Sequence, residues 1–300
     1  MLPLLLALLI TDPDPTPTPT KATSDPVVEE EDDWILDLTD NWSLIVGPKK
    51  GFYPSYLASQ HRATFALKSI SNFDSEIEGA GESRFGLRIG AKIGLFHLVP
   101  KSNPYGGVLI DGEVGFLAQF DRDNSTDNLG WDGLYAMHAN WMSADKLALR
   151  FGFAHDSSHL GDEFIESNGR KRINYTREEL RVGASMQLSS EWRGYAEYGH
   201  AYTINNPALQ ERGRFEWGFE FESIASPWNG RSKPFAAFDV TSYEEDDWKA
   251  NVTLQLGVVS QSSSSTIWRV GLEYYDGRSP IGELFQDEER HLAWGFWFDV

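Results

Sequence analysis

From Arg62 to the end of the chain, apolar residues alternate with polar or small ones. Between Ser83 and His97 the odd positions are Phe85, Leu87, Ile89, Ala91, Ile93 and Leu95, and the even ones are arginine, lysine or glycine up to Gly94. A strand sends successive side chains to opposite faces, whereas a helix would scatter both sets around its circumference. The spacing therefore predicts a strand with one apolar face and one basic or glycine face. The same pattern recurs near 108–120, 131–141, 147–157, 180–188, 192–204, 215–221, 234–240, 248–258, 268–274 and 292–300. With a weaker segment at 63–67 in front, twelve strands are expected.

Two architectures produce such alternation. A soluble sandwich turns the apolar face inward; a membrane barrel turns it out to lipid and lines its interior with the polar face. Glu216, Glu220 and Glu222 share one short stretch with Arg212 and Arg214, and Lys249, Asn251, Thr253 and Gln255 share another. Charges of both signs on the non-apolar face suit a barrel interior. Segments of about ten residues match tilted membrane strands. Trp131, Trp141, Trp192, Tyr202 and Trp248 fall near segment ends, where an aromatic girdle would put them. The expected fold is all-β: a closed antiparallel β-barrel of about 12 strands in a bacterial outer membrane. Twelve strands leave a limited lumen, so a wide diffusion pore is not favoured.

The first 61 residues lack this pattern. Leu2 to Ile10 reads as the apolar h-region of a truncated secretory signal, without a basic residue before it or an Ala-x-Ala site after it. Residues 11–33, with Asp12-Pro13-Asp14-Pro15 and the acidic run Glu29–Asp33, read as a disordered linker. Residues 34–61 are expected to form a periplasmic lead-in, and 62–300 the barrel. The net charge of −19 makes nucleic acid an unsuitable partner, because phosphate contacts need a basic footprint. The absence of cysteine removes disulfides, thiolate metal sites and thiol nucleophiles. His61, His97, His138, His200 and His291 are scattered and form no evident ligand set.

A barrel needs no catalytic groups, so polar residues on the apolar face attract attention. The outward set Leu147, Leu149, Phe151 and Phe153 continues in phase to His155 and Ser157. In the following segment, Leu180, Val182, Ala184 and Met186 extend backwards in phase through Glu178 and Thr176 to Asn174. A hairpin centred near Phe164 or Ile165 would bring His155, Ser157 and Asn174 together on the outer wall. Serine becomes a nucleophile when an imidazole takes its proton, and the imidazole needs a third group to fix its tautomer. Asp162 and Glu163, in the connecting loop, are candidate calcium ligands; the alternative is that they only solvate that loop.

His155-x-Ser157 with Asn174 downstream, on adjacent outward strands of a twelve-stranded barrel, resembles outer-membrane phospholipase A. That resemblance implies a histidine base, a serine nucleophile, an orienting asparagine, membrane lipids as substrate, and activation by calcium and homodimer formation. The chain departs from the family in following its serine with Ser158-His159 rather than Asn-Gly, and in a longer stretch before Asn174. The His-x-Ser pattern is also similar to the lipid A deacylase barrels, whose third member is a glutamate; Glu163 and Glu178 would then be the candidates, and lipopolysaccharide the partner. The segment His155–Glu163, Phe52-Tyr53-Pro54 and Tyr275–Pro280 resemble a bacterial family known as domain of unknown function 1207. Ala293–Val300 resembles the terminal β-signal read by the barrel-assembly machinery, with valine where an aromatic usually stands. The alternative to a lipid-ester hydrolase is a non-catalytic structural or narrow-pore barrel.

Overall fold

The computed structural model describes residues 34–48, 53–103, 106–143, 146–228, 231–261 and 266–299. The expected signal h-region, the linker over 11–33 and Val300 lie outside these residues. Two short strands, β1 (Trp34–Asp37) and β2 (Trp42–Val46), form a hairpin. The wall follows as β3 (Phe65–Ser75), β4 (Ser83–Pro100), β5 (Val108–Asp121), β6 (Asp127–Ser143), β7 (Leu147–Leu160), β8 (Thr176–Gln187), β9 (Trp192–Ile204), β10 (Gly213–Glu222), β11 (Ser232–Tyr243), β12 (Ala250–Gln261), β13 (Ile267–Arg278) and β14 (Glu288–Asp299). One helix, α1 (Asp162–Asn168), interrupts the connection from β7 to β8. No helix among the described residues is long and apolar enough to cross a membrane.

Each wall strand pairs antiparallel with the next, and β14 pairs with β3, Phe298 opposite Phe65. The sheet thus closes as a twelve-stranded antiparallel barrel, as the alternation implies. Closure removes the exposed strand edges an open sheet would present. The faces sort as the period demands: on β8 Leu180, Val182 and Met186 are exposed, while Arg177, Glu179 and Arg181 between them are buried. Phe298 continues the outward set of Leu292, Trp294 and Phe296, and Trp297 turns inward with only 1% exposure.

The lumen is filled by ion pairs. Glu179 accepts hydrogen bonds from Arg177 Nε at 2.5 Å, Arg181 Nε at 2.8 Å and Arg214 Nε at 3.0 Å. Arg214 also donates to Glu216 at 2.6 Å and pairs with Glu197, which Arg150 reaches at 2.9 Å. Lys68 binds Glu273 at 2.7 Å and Arg84 binds Glu289 at 2.6 Å. Buried charges persist only when paired and hydrogen-bonded, so these pairs tie strands to one another from inside as well as by the ladder.

The lead-in expected over 34–61 consists of two pieces. The β1–β2 hairpin joins the wall, whereas residues 53–64 run inside the barrel. There Tyr53, Tyr56, Ala58, Ser59, Gln60 and Arg62 are buried. The Leu57 amide donates to Glu220 at 2.7 Å, Gln60 donates to Thr253 at 3.2 Å, and the Gln60 side chain also accepts from Lys68. Tyr56 stacks on Tyr195 of β9 with centroids 3.8 Å apart. This stretch has no alternation because its neighbours surround it on all sides rather than on two faces. The opposite rim, away from the termini, is closed by an apolar cap of Ile77, Leu129, Leu160, Phe164, Ile281 and Leu284. Buried Glu283 staples the cap by accepting from the amides of Ile173 at 2.7 Å and Tyr175 at 2.9 Å, and burial pushes the Tyr175 phenol above its ordinary pKa.

A lumen stoppered by the 53–64 stretch and by the cap should conduct no ions. Deleting residues 53–61 together with Phe164→Ala and Leu284→Ala, which loosen the cap, is expected to open a measurable single-channel conductance in a planar bilayer. A wild-type protein that already conducts as strongly as the deletion variant would show that the stretch is not the stopper.

Candidate functional site

His155 and Ser157 sit on β7, two residues apart and both on the outward phase, five and three positions from the strand's capped end at Leu160. Even-numbered neighbours Ala154 and Ser158 turn inward and are buried. Ser158 is thereby committed to structure, its hydroxyl accepting from the Glu283 amide at 2.8 Å.

His155 lies between two neighbours contributed by the flanking strands. Tyr135, its direct partner on β6, stacks on the imidazole with centroids 4.5 Å apart and planes 15° from parallel. Glu178, its direct partner on β8, brings Oε1 to 3.4 Å from His155 Nδ1. That contact is within ion-pair reach but is not aligned as a hydrogen bond. Ser157 is paired with Gly133 on one side and Thr176 on the other. A Cβ at position 133 would stand 3.6 Å from the Ser157 hydroxyl, so glycine there leaves open space above it. No hydrogen bond joins His155 to Ser157.

The expected meeting of His155 with Asn174 does not occur. The hairpin register sets His155 opposite Glu178 and Ser157 opposite Thr176. Asn174 precedes β8, is exposed, and adopts the left-handed conformation with φ 58°. By strand rise it stands about 13 Å along the wall from residue 178. The reason is the connection: α1 and the extended stretch after it move the hairpin centre from Phe164–Ile165 to Glu166–Ser167. Shifting a centre by two residues moves every partner by four. Phase survives such a slip, so Glu178, outward like Asn174 and a candidate through the resemblance to lipid A deacylase barrels, replaces Asn174 beside the imidazole. Tyr135 carried no signal beyond its place in an apolar face.

Asp162 and Glu163 occupy the exposed first turn of α1. Among the described residues they converge with no third metal-ligating side chain. The one convergent trio is Asp111, Glu113 and His138, whose ligand atoms lie within 4.8 Å of one another in the lumen. Two histidine-to-carboxylate contacts here were invisible in the sequence, because strand pairing alone brings β5 and β6 together. Lys92 lies 3.0 Å from Asp111, and Arg150 lies 3.6 Å from Glu113 and donates to His138 Nε2 at 3.2 Å. Two cations thus already balance two carboxylates.

The model of the family described as protein of unknown function (DUF1207) matches residues 48–299. No curated protein matches the chain. Among solved structures the chain is similar to outer membrane phospholipase A from Escherichia coli, at 9% identity and a TM-score of 0.52, covering 79% of this chain and 92% of that one. It is also similar to the Salmonella typhi outer membrane phospholipase dimer with bound calcium, at 10% identity and a TM-score of 0.53, covering 84% and 93%. At these identities the likeness is one of fold, an outer-membrane-type β-barrel.

Proposed function

We propose that this chain, which belongs to the DUF1207 family of proteins of unknown function, is a lipid-ester hydrolase of the bacterial outer membrane. Its nucleophile is Ser157, its base His155 and its orienting group Glu178. One observation carries the reading: on the lipid-facing wall an imidazole is held between a tyrosine ring and a carboxylate, with a serine hydroxyl next in phase. Isolated polar groups on such a face are costly, and clustered ones signal a site.

With the chain ends in the periplasm, the capped rim is extracellular and the site sits near the ester groups of the outer leaflet. On lipid binding, Glu178 Oε1 closes from 3.4 Å to accept a hydrogen bond from His155 Nδ1–H and so fixes the tautomer with Nε2 free. Nε2 takes the Ser157 proton as Oγ bonds to the ester carbonyl carbon. The imidazolium then protonates the departing alkoxide, and water releases the acyl group by the reverse sequence. No step is routed through calcium, since Asp162 and Glu163 do not converge with a third ligand.

The second reading is a non-catalytic barrel, and the missing His155–Ser157 hydrogen bond favours it. Such bonds are often long before substrate binds, so the assay decides. Purified protein folded in detergent should release fatty acid from phospholipid or from lipid A, and Ser157→Ala should reduce release to the blank while strand content and heat stability stay unchanged. Arms with added calcium or chelator, and at several protein-to-lipid ratios, test the metal and dimer expectations. A wild-type protein inactive on both lipids in every arm leaves the non-catalytic barrel as the reading.

A further inference from the structure

The barrel wall has an unusual feature at its terminal end. β4 pairs with β5 along nearly its whole length, from Arg84 to Leu98. Its other edge is shared by two strands. β3 takes Ser83–Arg88, and β2 takes Phe96–Pro100. β2 therefore runs in line with β3, below it in the same column of the wall, and the 53–64 stretch leaves for the lumen between them. β1 lies beside β2, in the column that β14 ends above. Backbone bonds stitch the hairpin in place: Gly47 N donates to Leu95 O at 2.9 Å and Lys101 N to Asn41 O at 2.9 Å.

Register fixes which way its side chains point. Leu44 pairs with Leu98 and Val46 with Phe96, and both β4 residues are outward and exposed. Across the hairpin, Leu36 pairs with Leu44 and Trp34 with Val46. The outer face is thus Trp34, Leu36, Trp42, Leu44 and Val46, without a polar residue. The other face carries the polar pair, Ser43 donating to Asp37 at 2.7 Å, and Lys101 reaches Asp37 at 2.9 Å. Trp34 is 80% exposed and Leu36 56%. So large an apolar face, left open, marks an interaction surface.

We propose that the β1–β2 hairpin is a lipid-facing extension of the barrel wall, seated against the phospholipid leaflet at the terminal end. The proposal rests on the reading of this barrel as a membrane protein. Three features select lipid as the occupant. The face is continuous with the outward residues Phe96, Leu98 and Val108 of the wall itself. Trp42, level with Pro100, lies at the far end of the apolar band, the depth where indole rings settle at a membrane boundary, and Trp34 lies four residues further in, level with Phe96. Its charges are confined to the opposite face and the turn.

The chain has no cysteine, so single substitutions report cleanly. Trp34→Cys and Leu36→Cys on the outer face, and Ile35→Cys and Ile45→Cys on the other, are each labelled with a small fluorophore in phosphatidylcholine vesicles. Ile93→Cys on the barrel wall serves as the lipid reference and Asp40→Cys in the turn as the aqueous one. Nitroxide-bearing acyl chains should quench labels at 34 and 36 roughly threefold more than those at 35 and 45, the alternation a strand lying on lipid requires. As a second measurement, Trp34→Phe should remove an emission component that brominated lipid quenches in the wild type. An unquenched label at 93 would fell the membrane reading itself. A quenched label at 93 with iodide-accessible labels at 34 and 36 overturns the hairpin proposal alone. Labels at 34 and 36 shielded from both quenchers mean protein cover, such as a second copy on the β1 edge, and overturn it too.

Discussion

Replacing Glu179 by alanine is expected to destabilise the folded barrel by about 3–5 kcal/mol. This carboxylate is fully buried and accepts from three guanidinium groups, on Arg177, Arg181 and Arg214. Arg177 has other acceptors, the carbonyls of Glu211 and Arg212, both at 2.6 Å. Arg214 retains Glu197 and Glu216, and Arg181 retains Asp156 at 3.0 Å. The loss is therefore an excess of positive charge rather than three orphaned cations, which keeps the estimate within the range for one broken buried pair. Glu179→Gln keeps the shape and one acceptor but not the charge, and should fall between alanine and wild type. Urea-dependent unfolding from detergent, followed by strand content, measures both. A loss under about 1 kcal/mol for the alanine variant would mean that lumen charges are redundant and that the backbone ladder alone holds the cylinder.

The wall was legible in the sequence because a closed barrel imposes one rule on every strand. An apolar outside and a charged inside leave a period-two record, and the twelve expected segments fall on β3 to β14, from Phe65–Ser75 to Glu288–Asp299. Residues 53–64 were not legible for the opposite reason. A segment surrounded by the lumen has no second face, so tyrosine, glutamine and arginine follow one another without period. Trp297 illustrates the limit within a strand: its bulk suggests lipid, yet phase turns it inward over Gly295 beneath Arg269. At the candidate site, phase was reliable and register was not. Phase depends on parity within one strand. Register depends on how many residues the connection consumes, and the seven-residue helix α1 had no apolar period long enough to announce itself.

That distinction sets the second large expectation. If the wall hydrolyses lipid esters, Glu178→Ala should lower the rate by about 10²- to 10⁴-fold, the range for removing the residue that orients a catalytic histidine. Asn174→Ala should leave it within about threefold, because this side chain is exposed and stands four residues from the imidazole's partner. The reverse ranking would mean that the β7–β8 connection rearranges on lipid binding and carries Asn174 to His155. Glu178→Gln separates charge from orientation. An amide oxygen can still accept the Nδ1 proton but bears no charge to stabilise the imidazolium, so its activity should lie between the wild type and the alanine variant. Tyr135→Leu removes the stacked ring without touching either ion. Because the ring only restrains the imidazole, this change should cost about tenfold at most and act on kcat rather than on lipid affinity. All four variants alter outward side chains, so unfolding midpoints should stay near the wild-type value. A Glu178→Ala barrel that hydrolyses lipid at the wild-type rate would remove the carboxylate from the mechanism, and with it the argument that the register of this hairpin built a triad.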